Sequence, residues 1–397
     1  MTRRHWLFVD AAPAFGGHEV MLLSWLSELR AQGRITPVLL ARDQSRLYQK
    51  AQEKITTAAP LSPVVTSKSS GARSLLHAVS DAWKVFKAIR RYQPQLCVVA
   101  EGSLLSQAVF TLLLRLFGQR TLVYVPLVES ATSMGFGRGP RRDWLVRHVY
   151  RHIPHGWITI TQEQALQFKQ WSQLKTPVWL LPNTVAPEIE YAEHVTHVVQ
   201  QPLRVLVLGR LDAHQKGLDA LLKFLCDTPE LRGELHITLV GEGPYQQDIE
   251  QQLRTHAALT AVLSVQPWAP TLDVLRQHDV LLLCSRYEGL PLVMLEAMAV
   301  GMPVVASDLP GTRAMLNADC LFAVGDFAQA SRLLLSFKNA ERYASVVRRN
   351  RDVFVDRASA AAFALGVANL TEQLLRANAP AADAANFSEV TPKVNFP

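Results

Sequence analysis

The chain is poor in cysteine: Cys97, Cys226, Cys284 and Cys320 are the only four in 397 residues, too far apart for a Cys-x-x-Cys metal or redox pair. They are expected as small core residues in a reducing compartment. Charge is also sparse, at 19% against 49% hydrophobic residues, which excludes an extended disordered chain and leaves ample material for buried sheets. The longest apolar run, residues 104–117, is interrupted by Gln107 and Arg115 and falls short of the roughly 20 residues needed to cross a bilayer. It reads as a buried helix. The apolar stretch 6–9 behind Arg3 and Arg4 is too short for a secretory signal, so a cytoplasmic location is expected. No short-period repeat is visible.

At roughly 150 residues per domain, the length asks for two domains. The halves differ in charge: residues 1–185 hold 23 Lys and Arg against 10 Asp and Glu, a net +13, and residues 186–397 hold 18 against 24, a net −6. A basic half either faces an anionic partner such as a phospholipid surface, lipid diphosphate or nucleic acid, or is simply a solvated surface. Short β-rich runs at 6–9, 36–40, 96–100, 121–125, 157–161 and 178–181 alternate with helical stretches, and the rhythm restarts at 203–208, 235–240, 280–284, 303–306 and 321–324. Nearly continuous apolar strands separated by helices indicate parallel sheets covered on both faces. The expected organisation is a first domain over 1–186, a linker over 187–200, a second domain over 201–360, a helix over 361–377 crossing back to the first domain, and a mobile tail over 378–397. Residues 340–377 are helical in composition.

Ligands of open α/β sheets bind beyond the carboxyl ends of the strands, so the loops there carry the candidate chemistry. The strongest segment, 285–303, begins where a buried strand stops. Pro291 suits the first turn of a helix closed by Gly301 and Pro303, so the backbone N–H groups of Gly289, Leu290 and Leu292 lie at a helix start that favours phosphate. Glu288 and Glu296 flank that start, and carboxylates accept bonds from sugar hydroxyls; the plain alternative is a loop acid and a helix-surface acid. Gly209-Arg210 and Lys216 follow an earlier strand, where a guanidinium fork and a mobile ammonium suit a diphosphate leaving without a metal. Gly241-Glu242-Gly243-Pro244 opens like a dinucleotide loop, but Gln246 and the absence of an acid at 262–264 argue against NAD. Trp268 either frames a nucleobase or sits in the core. Gly16-Gly17-His18-Glu19 is either a tight turn or a place where phosphate meets backbone. Arg138, Arg141, Arg142, Arg147 and Arg151, interleaved with Trp144, Leu145, Val149 and Tyr150, either rest on an anionic membrane or form an ordinary amphipathic helix packed by Trp144 and Val149.

Taken in order, Gly16-Gly17, Leu181-Pro182-Asn183, Gly209-Arg210 with Lys216, Gly241-Glu242-Gly243-Pro244, and Glu288 with Glu296 resemble the retaining glycosyltransferases of family 4, within the glycosyl transferases group 1. The resemblance covers most of the chain. It implies an α/β GT-B fold, two facing Rossmann-like domains with parallel sheets and a cleft between them. It further implies that Arg210 and Lys216 bind the donor diphosphate, Glu288 contacts the donor sugar, Glu296 holds the ribose, and Gly16-Gly17 borders the phosphates. The reaction implied is transfer of a hexose-type sugar, with retention, from a nucleoside-diphosphate sugar to a growing glycan or lipid-linked acceptor, with no cofactor or metal. Two positions depart from the family. Pro126-Leu127-Val128-Glu129-Ser130 has no His where the family often has one, and Pro310-Gly311-Thr312-Arg313-Ala314 lacks a frequent Glu. The competing readings are a nucleotide-sugar epimerase of the same fold and a non-catalytic sugar-binding protein.

Overall fold

The computed structural model describes residues 4–12, 16–57, 60–61, 71–192 and 201–377. Residues 193–200 of the expected linker, the tail 378–397, and Pro13, Ala14 and Phe15 lie outside them. The first sheet holds β1 His5–Asp10, β2 Thr36–Ala41, β3 Thr56–Thr57, β4 Leu96–Ala100, β5 Thr121–Tyr124, β6 Gly156–Thr159 and β7 Val178–Leu180. The second holds β8 Leu203–Leu208, β9 Leu235–Val240, β10 Leu263–Gln266, β11 Val280–Leu283, β12 Val304–Ser307 and β13 Leu321–Phe322. Their orders are β3-β2-β1-β4-β5-β6-β7 and β10-β9-β8-β11-β12-β13. Every neighbouring pair is parallel. Each sheet therefore reverses direction of growth at its first strand, between β1 and β4 and between β8 and β11. That is the arrangement of a GT-B fold, and the reversal opens a crevice in each sheet.

Strand β1 shows why the sheets are buried on both sides. Successive side chains point to opposite faces, so Trp6 and Phe8 join one core, where Trp25 meets Phe8 edge-on at 5.0 Å, while Leu7 and Val9 join another with Val85, Phe110 and Leu114.

Several elements differ from the sequence reading. Strands β3 and β10 are additional. The run 104–117 is not a buried helix: the helix spans Ala108–Leu116 and buries Phe110, Thr111 and Leu114, while Val109 and Leu116 are 66% and 72% exposed. It has one face against the sheet and one apolar face outward, because a single helix layer covers each side. Pro291 is the N-cap of helix Leu292–Val300 rather than a first-turn residue, and Gly301 closes it in the left-handed region at φ 81°. Residues 340–377 form two helices, Ala340–Arg357 and Ala360–Arg376, broken where the Ser359 hydroxyl caps Ala362. Cys97, Cys284 and Cys320 are buried and Cys226 is half-buried, all four as free thiols.

The chain crosses between halves near Glu190, and the final helix returns. Gln32 donates to the Ala364 carbonyl at 3.0 Å, and Arg120 to that of Ala377 at 2.8 Å. A Cβ on Gly366 would stand 2.6 Å from Pro182 Cγ. At the crossing itself the Ala360 amide donates to Glu190 Oε2 at 2.8 Å.

Candidate functional site

The two crevices face each other across a cleft of about 810 Å³. In the second half its floor is shaped by backbone. Gly209 and Gly241, at the ends of β8 and β9, have φ of 146° and 144°, and a Cβ on Gly241 would come 1.9 Å from the Gly209 carbonyl oxygen. A Cβ on Gly243 would come 2.2 Å from the Leu211 carbonyl oxygen. These glycines let adjacent loops touch, which side chains would forbid. The loop after β8 ends in a short turn, Ala213–Lys216, capped by Asp212, whose Oδ1 accepts the Gln215 amide at 2.7 Å. Arg286 pins that turn through a bidentate pair with Asp219 at 2.7 and 2.9 Å and through the Ala213 and His214 carbonyls.

Within this frame Lys216, read from the sequence as a mobile ammonium beside Arg210, is held in an ion pair. Its ammonium is ion-paired with Glu288, which also accepts the Ser285 hydroxyl at 2.8 Å. Arg210 is exposed at the cleft wall without an ion-pair partner among the described residues. Glu296, one turn into helix Leu292–Val300, is flanked by buried Met294, Leu295, Ala297 and Met298, and burial pushes its pKa up to about 7. Gly289, Leu290 and Leu292 line the cleft at the start of that helix. Trp268 is not a core residue: 65% exposed, it lies just beyond β10 and lines the cleft.

The halves meet through glycine. A Cβ on Gly289 would stand 2.5 Å from the Pro126 carbonyl oxygen, and one on Gly17 would touch Leu292 Cδ1 at 3.5 Å. Gly16 and Gly17 thus face the start of the phosphate-type helix from the opposite wall. Pro126 and Leu127 line the cleft where the family often has a His, and Glu129 turns into its own loop, accepting the Ser130 amide at 3.0 Å. In the other departing loop, Gly311 packs on Gly289, where a Cβ would come 1.6 Å from its carbonyl oxygen. All twelve residues singled out from sequence for catalysis or donor binding line this cleft.

Sequence reasoning gave no individual role to five polar lining residues, Glu242 and the four that follow. Asn183 donates to the Leu290 carbonyl at 3.2 Å, and its buried Oδ1 has no partner. Leu181-Pro182-Asn183 was the signal for it. Arg46 and Thr271 carry no motif. His18 lies against Asp10 and Glu19, with Nε2 to Asp10 Oδ2 at 3.4 Å and Nδ1 to Glu19 Oε2 at 3.0 Å. Behind them Gln107 donates to Asp10 at 3.0 Å and, through its amide, to Glu101 at 3.3 Å; Tyr150 donates to Glu101 at 2.5 Å. Burial, opposed by these bonds, pushes the Glu101 pKa up to about 7.

The basic stretch is not one helix. Helix Gly139–His148 ends at Val149, and a short turn Tyr150–His152 follows. Val146 and Tyr150 pack inward, whereas Trp144 is 58% exposed and stacks on His148 at 5.1 Å. Arg138, Arg141 and Arg147 are exposed, Arg142 lies over Phe136, and Arg151 is taken up by the Ser172 and Gln173 carbonyls.

Comparison with known proteins fits this geometry. Residues 202–336 match the sequence profile of the family Glycosyl transferases group 1. The amylovoran biosynthesis glycosyltransferase AmsK of Erwinia amylovora is 29% identical over 158 residues, 36% of this chain and 38% of the relative. The phosphatidyl-myo-inositol mannosyltransferase of Mycobacterium leprae is 34% identical over 163 residues, 36% of this chain and 42% of the relative. The alignments thus span well under half of these curated relatives. In three dimensions the likeness runs the full length: HepE of Anabaena, solved in complex with UDP and glucose, superposes with a TM-score of 0.70 over 93% of this chain and 99% of that one, at 14% identity. Sucrose-phosphate synthase of Thermosynechococcus elongatus gives 0.73 over 94% and 100%, at 16% identity. The chain has the GT-B fold, and its residues 202–336 are similar to the glycosyl transferases group 1.

Proposed function

We propose that the protein is a retaining glycosyltransferase of the family 4 type, moving a hexose-type sugar from a nucleoside-diphosphate sugar to a growing glycan or lipid-linked acceptor. The observation that carries this reading is the convergence, in one cleft, of Arg210, the Lys216–Glu288 pair, the start of helix Leu292–Val300 and Glu296. Arg210 and the free amides of the helix start suit a diphosphate. When the donor enters, its phosphate competes with Glu288 for Lys216, and the released carboxylate accepts a hydroxyl of the transferred sugar. Glu296 takes the ribose. The C1–phosphate bond breaks as the acceptor oxygen bonds C1 on the same face, and the departing phosphate oxygen takes the acceptor proton. Fixed charges and amides supply the stabilisation of the leaving diphosphate, with no metal.

Relatives named for amylovoran biosynthesis and for a phosphatidyl-inositol acceptor, and a neighbour holding UDP and glucose, support a uridine-type donor and a surface-glycan or lipid acceptor. We place the protein in the cytoplasm, peripheral to the membrane, with Arg138, Arg141, Arg147 and Trp144 against anionic lipid. The test is release of nucleoside diphosphate on adding an acceptor. Glu288→Gln lowers turnover on the order of 100-fold while nucleoside-diphosphate affinity holds or rises, Lys216 being freed from its pair, and Arg210→Ala weakens that affinity by about 1.5 to 3 kcal/mol. Wild-type turnover in both variants removes Glu288 and Arg210 from the site, and absence of acceptor-dependent release in the wild type overturns the assignment in favour of an epimerase or a sugar-binding protein.

A further inference from the structure

The first half contributes to the cleft wall a group of charges for which the transfer reaction has no use. His18 sits between two buried carboxylates. Its Nδ1 is 3.0 Å from Glu19 Oε2 and its Nε2 is 3.4 Å from Asp10 Oδ2, while the side chains of Asp10 and Glu19 are 0% and 2% exposed. A neutral imidazole has one N–H, so it can donate to only one of these acids and must turn a lone pair toward the other. An imidazolium donates to both. Asp10 Oδ2 and His18 Nε2 are both buried without a hydrogen bond of regular geometry, so at 3.4 Å each faces only the other, as an ion pair.

The neighbours leave Asp10 no freedom to escape. Its Oδ1 accepts the Ala12 amide at 2.9 Å and the Gln107 side chain at 3.0 Å, and Gln107 in turn accepts the Ala11 amide at 2.7 Å. The ring is wedged against Gly102, where a Cβ would lie 3.1 Å from Cε1. On the other side, Glu19 Oε2 accepts the Gly16 amide at 2.8 Å. A line of contacts therefore runs from the end of β1 through Asp10, His18 and Glu19 to Gly16, and Gly17 next to it faces Leu292 at the donor helix start, where an added Cβ would lie 3.5 Å from Leu292 Cδ1.

We propose that His18 is a positioning residue: as an imidazolium it clamps Asp10 to Glu19 and thereby holds the Gly16-Gly17 turn in place against the bound donor. This rests on the reading of the cleft as a nucleotide-sugar site. The charged groups around the ring come from β1 (Asp10), from its own helix (Glu19) and from the end of β4, where buried Glu101 precedes Gly102. Arg46, Arg210, Lys216, Glu288 and Glu296 line the same cleft. Burial works against the charged ring, but the hydrogen bond and charge of Asp10 and the charge of Glu19 outweigh it, so the His18 pKa is raised above 6.5. A raised imidazole pKa makes the clamp complete below the ordinary value and releases it as pH climbs through the raised one. Its loss leaves two buried anions beside a neutral ring, and the glycine turn loosens.

The experiment has two arms. In the first, ¹⁵N NMR follows the His18 ring of the wild-type protein through its titration. A ring still mainly protonated on both nitrogens at pH 6.5 is the expected result, and a mainly neutral ring at that pH overturns the clamp without any substitution. In the second, donor KM and kcat are measured from about pH 6 to pH 9.5. Wild type shows a donor KM rising on the alkaline side. His18→Gln has a KM raised roughly 10-fold at neutral pH but flat with pH, and a kcat reduced by much less. An alkaline limb that persists in His18→Gln overturns the proposal, and so does stimulation by a divalent cation that is lost with His18. If wild type binds no nucleoside diphosphate at any pH, the donor-site reading fails, while the NMR titration still decides the clamp.

Discussion

The two crevices have the same topology and opposite construction. After β8 and β9, the second half forms its wall from backbone: Gly209 and Gly241 are held at positive φ and packed so closely that a single Cβ would collide with a carbonyl oxygen. Its charges, Arg210 and the Lys216–Glu288 pair, stand at the surface of the cleft. After β1 and β4, the first half uses extended backbone at Gly16, φ −145°, and hides Asp10, Glu19 and Glu101 beneath His18. One side is fixed by sterics that no solution condition alters. The other is fixed by a side-chain network whose strength depends on protonation.

The sharpest way to break this contrast is to add one methyl group on each side. Gly241→Ala forces a Cβ to within 1.9 Å of the Gly209 carbonyl oxygen at a φ that disfavours alanine, and the second half is expected to lose about 3 kcal/mol or more. Gly16→Ala meets only Glu19 Oε2 at 3.6 Å, and the cost is below about 1 kcal/mol. Denaturant midpoints compare the two, and equal losses would erase the distinction.

Next in size is a pH effect from the donor wall. The Glu296 carboxyl, raised by burial to about 7, is protonated more readily in the folded chain than in the unfolded one. A raised acid costs stability as pH rises through the window from 4.5 to about 7. A ribose that hydrogen-bonds the carboxylate lowers this pKa, so nucleoside-diphosphate affinity should climb across the same window, by about tenfold for each unit of lowering. Calorimetric titration at several pH values should show the climb in wild type and a flat line in Glu296→Gln. It would be the acid-side counterpart of the alkaline limb assigned to His18.

The smallest expected effect lies on the outer surface. Arg141→Glu with Arg147→Glu should weaken sedimentation with vesicles containing anionic lipid, at about 1 kcal/mol for each basic residue near the surface. Arg232→Glu, exposed on the second half, should leave it unchanged. Equal binding to neutral and anionic vesicles would count against a membrane role for the basic half.

Strand positions were legible to within one or two residues wherever the strand is a continuous apolar run, as at β8 and β9. Strand β3, two residues long, and β10, whose Ser264 and Gln266 interrupt its apolar residues, are edge strands without that signature. Residues 104–117 misled for the opposite reason, since a mostly apolar run does not reveal that part of its surface faces outward. The second-half wall of the cleft was readable because each loop keeps its polar and glycine residues close in sequence, Gly209 to Lys216 and Glu288 to Glu296. The first-half network was not, because Asp10, Gln107 and Tyr150 come together from three separate parts of the sequence. The Lys216–Glu288 pair, 72 positions apart, was likewise hidden, although each partner had been named.

The hydrogen bond between Ala360 and Glu190 has a mechanical consequence. It fastens together the two places where the chain passes between halves, and two passages held side by side act as a hinge pin, leaving swing as the easy motion and opposing twist. Any opening between the halves is thereby confined to a single arc about this pin, the arc along which Gly17 faces Leu292 and Gly289 lies against Pro126.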